Sequence, residues 1–311
     1  MGCLVIVALL TTAGRIRAQN PLQFSGIQLL TNRETLLRFT GSTGINYRID
    51  VSSLFTNWEA LTSFRSTGSN QYTDSTTPFL ASRFYRAAEI PGTNVVVGDH
   101  LPTAAGDVVI RPVYHAGFVM SWDSKTIYSD PYQGAARFQG LPRADLILVT
   151  HDHGDHFEPT TLTAVRGSNV VIIAPQRVFQ AMSTSLRSVT TVLTNGATTN
   201  LLGLQVEAVP AYNGNHPRGQ GNGYVVTIGG KRIYMSGDTG DIAEMRALPD
   251  IDIAFVCMNS FTMSVSQAAS AVREFRPKVV YPYHYSESDL NSFKRQVGND
   301  VGVEVRIRRW Y

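Results

Sequence analysis

Thr150-His151-Asp152-His153-Gly154-Asp155-His156 packs three of the chain's seven histidines into six residues. The block follows directly on the apolar run Leu146 to Val149, so it occupies the loop that leaves a strand, ahead of a helix beginning near Glu158. On extended backbone, residues i and i+2 project to the same side, so His151 and His153 can chelate one cation. On a helix the same pair would stand about 200° apart, which excludes the helical two-histidine type of zinc site. Gly154 lets the chain turn sharply, after which Asp155 and His156 can face a second cation close by.

Outward from this block, residues 94 to 311 read as a sheet covered by helices. Strand-like runs come first, at Val108 to Val113, Gly117 to Trp122, Thr126 to Ser129 and Leu146 to Thr150. Strands then alternate with helical stretches near 158–166, 242–248, 265–275 and 287–297. Runs such as Val170-Val171-Ile172-Ile173 and Ile253-Ala254-Phe255-Val256 are continuously apolar, as expected where helices cover a sheet face. The class is α/β. Residues 19–90 differ: they are rich in Ser, Thr and Asn, with short alternating segments at Leu36 to Thr40, Asn46 to Val51 and Ser82 to Ala87. That pattern predicts a small all-β, sandwich-like domain with Tyr47, Trp58 and Tyr85 as core aromatics. Glu89-Ile90-Pro91-Gly92 reads as the linker.

Composition bounds the function. With 311 residues, 43% hydrophobic and 16% charged, the chain can bury a sizeable core, which excludes a disordered polypeptide, a coiled coil and a disulfide-stapled miniprotein. The apolar run Cys3 to Leu10 followed by small residues reads as a signal peptide over 1–18, cleaved after Ala18, and predicts an exported protein; a buried N-terminal strand is the alternative. No segment is long and apolar enough for a transmembrane helix. The 27 basic residues less Arg15 and Arg17, set against 24 acidic ones, leave a net charge of +1. No run of Lys and Arg exceeds two, so nucleic acid is not expected as a partner. Of the two cysteines, Cys3 leaves with the signal and Cys257 remains alone, so stability must come from the core rather than a disulfide.

The block H-x-H-x-D-H at a strand end resembles that of the metallo-β-lactamase-fold superfamily, whose four-layer α-β-β-α fold holds one or two metals at the sheet edge. The resemblance implies a further His, a bridging Asp and a last His, each after a strand. This sequence supplies His216 in Tyr212-Asn213-Gly214-Asn215-His216-Pro217, Asp238 in Ser236-Gly237-Asp238-Thr239-Gly240, and His284 in Pro282-Tyr283-His284-Tyr285. Carried over position by position, His151, His153 and His216 would bind a first metal and Asp155, His156 and His284 a second, with Asp238 bridging. Imidazole suits zinc or iron, and a bridging carboxylate suits a pair of divalent ions; Zn2+ is the expected pair, with Mn2+ and Fe2+ as alternatives. Asp130, in Ser129-Asp130-Pro131, resembles the carboxylate that steadies the ligand loop in this family, a plain turn being the other reading. His115 matches a histidine found before the second strand in some branches, and reads either as a pocket residue or as a structural one. His100 has no match and reads as a surface or linker residue. Tyr212, Tyr283 and Tyr285 flank ligands, as oxyanion donors or as packing, and Glu287 and Asp289 read as helix-capping or solvated.

The implied activity is a binuclear metal-dependent hydrolase, with a metal-bridging hydroxide attacking an ester, lactone or phosphodiester of a small-molecule or lipid-like substrate. Asp155 and Asp238 are the carboxylates assigned to catalysis. The segments His216-Pro217, Gly223 to Val226 and Tyr234 to Thr239 look like the branch of ascorbate-phosphate lactonases and N-acyl phospholipid phosphodiesterases. Classical class B β-lactamases use Cys or Ser where Asp238 stands, so β-lactam hydrolysis is at most a side activity. A different class of reading is an exported surface-binding protein whose metal domain serves as scaffold.

Overall fold

The computed structural model describes Leu4, Val5 and residues 21–311. Apart from the short strand Leu4–Val5, which pairs in parallel with Ser82 and Arg83, the expected signal segment lies outside the described residues. The chain divides into two compact units, one of residues 1–102 with 107–111 and one of 103–106 with 112–311.

The first unit contains a three-stranded antiparallel sheet of Gln23–Leu29, Thr35–Thr40 and Ser69–Asp74. A second sheet pairs Asn46–Ser52 with both Glu59–Arg65 and Ser82–Ile90. Alternation decides what is buried. Leu37 and Phe39 from the first sheet and Tyr47, Ile49, Val51, Leu61 and Tyr85 from the second form one core. Trp58 departs from the sequence expectation: it is half-exposed, with the Arg86 guanidinium 4.6 Å above its ring. Glu89 and Ile90 are not linker but the end of Ser82–Ile90, paired with Tyr47 and Asn46. His100 is likewise no surface residue. It sits in the strand Asp99–Leu101 with Nδ1 2.9 Å from Asp107 Oδ2 and Nε2 2.9 Å from Ser63 Oγ.

The second unit has the metallo-β-lactamase fold, built on two mixed sheets. In one, Gly117–Trp122 and Lys125–Ser129 form an antiparallel hairpin, and Ala144–Leu148, Arg166–Ala174 and Thr190–Val192 follow in parallel. In the other, Thr198–Leu201, Leu204–Ala211, Gly221–Ile228 and Lys231–Met235 form an antiparallel meander that Ile253–Cys257, Val279–Tyr283 and Glu304–Val305 extend in parallel. Every residue of Ile253–Cys257 and Val279–Tyr283 is buried, which is why these strands carry unbroken apolar sequence instead of alternation. The sheets meet through Phe118 and Phe255, whose rings stack with centroids 4.0 Å apart, with Trp310 edge-on to both.

Helices cover this core where capping chemistry starts them. Ser264 and Gln267 form a reciprocal capping box ahead of Val265–Phe275, which buries Ala268, Ala269, Ala271, Val272 and Phe275. Asp289 caps Leu290–Val297 by accepting from the Ser292 amide at 2.9 Å, so the expected helix over 287–297 begins at 290. The helix expected over 242–248 is only Ala243–Arg246, because Pro249 disfavours helical backbone before it. The strand expected to reach Thr150 stops at Leu148, since the Thr150 amide donates to Asp130 Oδ1.

Candidate metal centre

All the proposed ligands lie on loops at the carboxyl ends of strands of the second unit. Ala144–Leu148 delivers the His151 to His156 loop, Leu204–Ala211 leads to His216, Lys231–Met235 to Asp238, and Val279–Tyr283 directly to His284. The loop of the first turns back through the amides of His156 and Phe157, which both donate to the His153 carbonyl. Special backbone holds the rest. Asp130 (φ 38°), His284 (φ 47°) and His115 (φ 59°) are all left-handed, a conformation that costs L-residues of this kind about 1–3 kcal/mol and gathers at functional sites. Gly237 (φ 59°) is required for a second reason: a Cβ there would stand 2.9 Å from the Asn222 carbonyl oxygen and 3.1 Å from Thr150 Cβ.

Three sets of side chains converge so that their donor atoms lie within 4.8 Å of one another: His151 with His153 and His216, His151 with His156 and Asp238, and Asp155 with His156, His284 and His115. Asp238 Oδ1 is 3.3 Å from both His156 Nε2 and His284 Nε2. His216 Nε2 is 3.0 Å from His153 Nδ1. Outside the ligand atoms, hydrogen bonds select the tautomers. Asp130 Oδ2 accepts from Thr150 Oγ1 at 2.7 Å and from His156 Nδ1 at 2.8 Å. Thr150 Oγ1, its proton committed to Asp130, accepts from His151 Nδ1 at 3.0 Å. In their neutral forms both imidazoles would thus turn the lone pair of Nε2 inward, the arrangement in which a carboxylate orients a metal-binding histidine.

Those inward atoms make no hydrogen bond, although Asp238 Oδ1 lies within ion-pair distance of His156 and His284. Among the described residues, ten buried side-chain nitrogen and oxygen atoms make no hydrogen bond, and five of them are His151 Nε2, His156 Nε2, His216 Nδ1, Asp238 Oδ1 and His284 Nε2. An orphaned buried polar atom costs about 1–3 kcal/mol, so five of them, spread over the adjoining side-chain sets, call for partners there. Nitrogen and carboxylate donors with this spacing fit divalent cations.

The ionisable groups of the site shift one another in opposite directions. Burial pushes the Asp238 carboxyl up, but the facing His156 and His284 outweigh it and hold the group well below the usual carboxylate range. Burial opposes ionisation of Asp155 too, and the hydrogen bonds from His115 and His284 lower it regardless. Burial drives His151 well below its ordinary value, reinforced by the neighbouring His156, and does the same more weakly to His216. Burial works against the charged forms of His156 and His284 as well, but Asp238, with Asp130 at His156 and Asp155 at His284, raises both, so the two carboxylates face raised imidazoles on one side and the lowered His151 and His216 on the other.

Other residues singled out in the sequence are placed as follows. Asp130 is fully buried beneath the ligand loop. The Tyr283 hydroxyl accepts from the Gly237 amide at 2.8 Å, Tyr212 donates to Glu244 Oε2 at 3.0 Å, and the Tyr285 oxygen accepts from the Trp310 amide; all three hydroxyls are engaged in holding loops. Sequence reasoning missed Asn259, whose Nδ2 is 3.0 Å from both His284 Nδ1 and the His284 carbonyl oxygen. Its only signal is its position just past the strand Ile253–Cys257. It also missed Thr150 as a partner of the ligand loop, and Tyr311, whose hydroxyl reaches His115.

Known proteins are similar to this chain. A protein family described as the β-lactamase superfamily domain matches residues 110–284. A UPF0173 metal-dependent hydrolase of Pyrococcus abyssi is 32% identical over 218 residues, covering 64% of this chain and 96% of the relative. The crystal structure of a candidate metal-dependent hydrolase from Parabacteroides distasonis superposes with a TM-score of 0.62 at 40% identity, over 68% of this chain and 97% of that one. Igni18, a metallo hydrolase from Ignicoccus hospitalis, shares the fold with a TM-score of 0.57 at 24% identity, over 65% of this chain and 94% of that one. The histidine and aspartate cluster thus stands in a chain that belongs to the β-lactamase superfamily, among the metal-dependent hydrolases of the UPF0173 family.

Proposed function

We propose that the protein is a binuclear hydrolase of ester, lactone or phosphodiester bonds, with His151, His153 and His216 around one cation, Asp155, His156 and His284 around a second, and Asp238 between them. The observation that supports this most directly is that five buried donor atoms of these adjoining side-chain sets make no hydrogen bond. Zn2+ is the pair that the donor set suits, with Mn2+ and Fe2+ as alternatives. Such cations, when bound, act as Lewis acids toward a carbonyl or phosphoryl oxygen and lower the pKa of water from 15.7 to about 7.

The chain's own residues do the rest. Asp238, buried and held well below the usual carboxylate range, would supply the negative charge between the two cations. Asp130 and Thr150 keep the Nε2 lone pairs of His151 and His156 aimed inward, so no reorientation is needed on loading. The substrate is a small molecule or a lipid-like one, and nucleic acid is not the partner: the chain's charge is nearly balanced. We place the protein outside the cytoplasm, residues 1–18 acting as a signal peptide.

The test is a purified protein reconstituted with Zn2+, Mn2+ or Fe2+ and assayed against a generic ester, a lactone and a phosphodiester, alongside elemental analysis. Two metals per chain and turnover of one substrate class are expected. At most one ion in metal-replete protein would remove the binuclear reading. Amino-terminal sequencing of exported protein should begin at Gln19, and an intact Met1 on soluble cytoplasmic material would sink the export reading.

A further inference from the structure

His115 stands outside the seven ligands proposed above, yet it is tied to one of them. Its Nε2 is 2.9 Å from Asp155 Oδ2, and its ring lies against His284 with centroids 3.9 Å apart. Its Nδ1 is 3.1 Å from the Tyr311 hydroxyl, which in turn accepts from the Ser286 amide at 3.3 Å. The backbone is stitched at the same place: the His115 amide donates to the Trp310 carbonyl and the His284 amide to the His115 carbonyl. The direction of the chain follows from what each group can do. An ionised carboxylate only accepts, so Nε2–H faces Asp155, and a Tyr311 hydroxyl that donates to Nδ1 selects that tautomer.

We infer that His115 is a positioning residue for the second cation: Tyr311 fixes its tautomer, and its Nε2–H anchors one oxygen of Asp155 so that the carboxylate meets the cation in a single orientation. The inference rests on the two-cation reading above. It assigns a purpose to the left-handed backbone of His115 (φ 59°), which delivers the ring to Asp155 from the turn between Val108–Tyr114 and Gly117–Trp122. A hydrogen-bonding partner of a ligand typically contributes 10–100-fold to metal affinity.

The two amide side chains separate this from a merely structural histidine. Gln places its N–H close to where Nε2 stands, whereas Asn reaches only the Nδ1 position; Asn, however, is the better resident of left-handed backbone. The metal-free full-length chain and its His115→Gln, His115→Asn and Tyr311→Phe variants are titrated with Zn2+ in competition with a chelator, and their thermal unfolding is recorded without metal. For His115→Asn we expect one of the two Zn2+ binding steps to weaken by about 10–100-fold and the other to stay unchanged. His115→Gln should remain close to wild type in both steps although it unfolds at the lower temperature, and Tyr311→Phe should weaken the same step as His115→Asn but less. Affinities that follow stability, with Asn above Gln, or steps unchanged in all three variants, would overturn the inference. A wild-type chain that takes up a single Zn2+ would overturn the two-cation reading instead, and the Asn–Gln order for that one ion would still decide the role of His115.

Discussion

His156 Nδ1 donates to Asp130 Oδ2 at 2.8 Å, and neither side chain has any exposed surface. The same carboxylate takes the Thr150 amide and the Thr150 hydroxyl. One buried residue therefore ends the strand Ala144–Leu148, anchors the loop that follows it and chooses which His156 nitrogen faces Asp238.

Asp130→Asn tests that arrangement. The amide group would present N–H where Oδ2 now accepts, setting donor against donor at Thr150 Oγ1 and His156 Nδ1, while Asn still tolerates the φ of 38°. We expect metal affinity to fall by about 10–100-fold and stability by about 1–3 kcal/mol. Chelator competition and chemical denaturation measure the two; unchanged affinity would relieve Asp130 of its orienting role.

Asp238→Asn removes one negative charge from between two proposed cations while keeping the turn that Gly237 provides. Turnover should drop at least a hundredfold, on the order of 3 kcal/mol in barrier, with a near-normal circular dichroism spectrum. A variant that kept its metal and most of its rate would make Asp238 a turn residue.

Gly237→Ala should damage folding rather than chemistry. The added Cβ meets the Asn222 carbonyl oxygen at 2.9 Å, and the φ of 59° is strained for alanine. A loss of about 1–3 kcal/mol is expected in denaturant titration of the metal-free protein. An unshifted midpoint would show that the turn can relax around the methyl group.

Cys257 offers a pH-dependent readout. Burial, with a smaller push from Asp238, raises its thiol to about 12, against an ordinary value of 9.0. A folded-state value raised in this way contributes stability that is fully present below pH 9.0 and is lost as pH climbs toward 12. The denaturation midpoint should fall over that range more steeply for the native chain than for Cys257→Ala. The thiol should also resist a thiol-reactive dye at pH 8 until denaturant is added, and immediate labelling of folded protein would contradict its burial.

Much of the second unit was legible in the sequence because it is written in local signals. Continuous apolar runs mark strands buried on both faces, Ser264 with Gln267 and Asp289 mark helix starts, and His151-x-His153-x-Asp155-His156 marks the loop by the spacing that extended backbone imposes. The first unit was legible less completely: alternation located its strands, but Trp58 carries the same aromatic signal as Tyr47 and Tyr85 and only packing shows that it faces Arg86 instead of the core. His115, His100 and Asn259 were ambiguous for one reason. A lone polar residue has no periodicity, and its meaning lies wholly in what stands opposite. Local sequence therefore determined which residues could bind a cation and which strand delivers each, since chelate spacing and strand ends are short-range properties. Tertiary structure alone decided that Asp130 aims His156, that Tyr311 meets His115 across almost two hundred residues of chain and His115 in turn meets Asp155, and that five buried donor atoms of the site are left without a hydrogen bond, because hydrogen-bond partners distant in sequence are brought together only by the packing of two sheets.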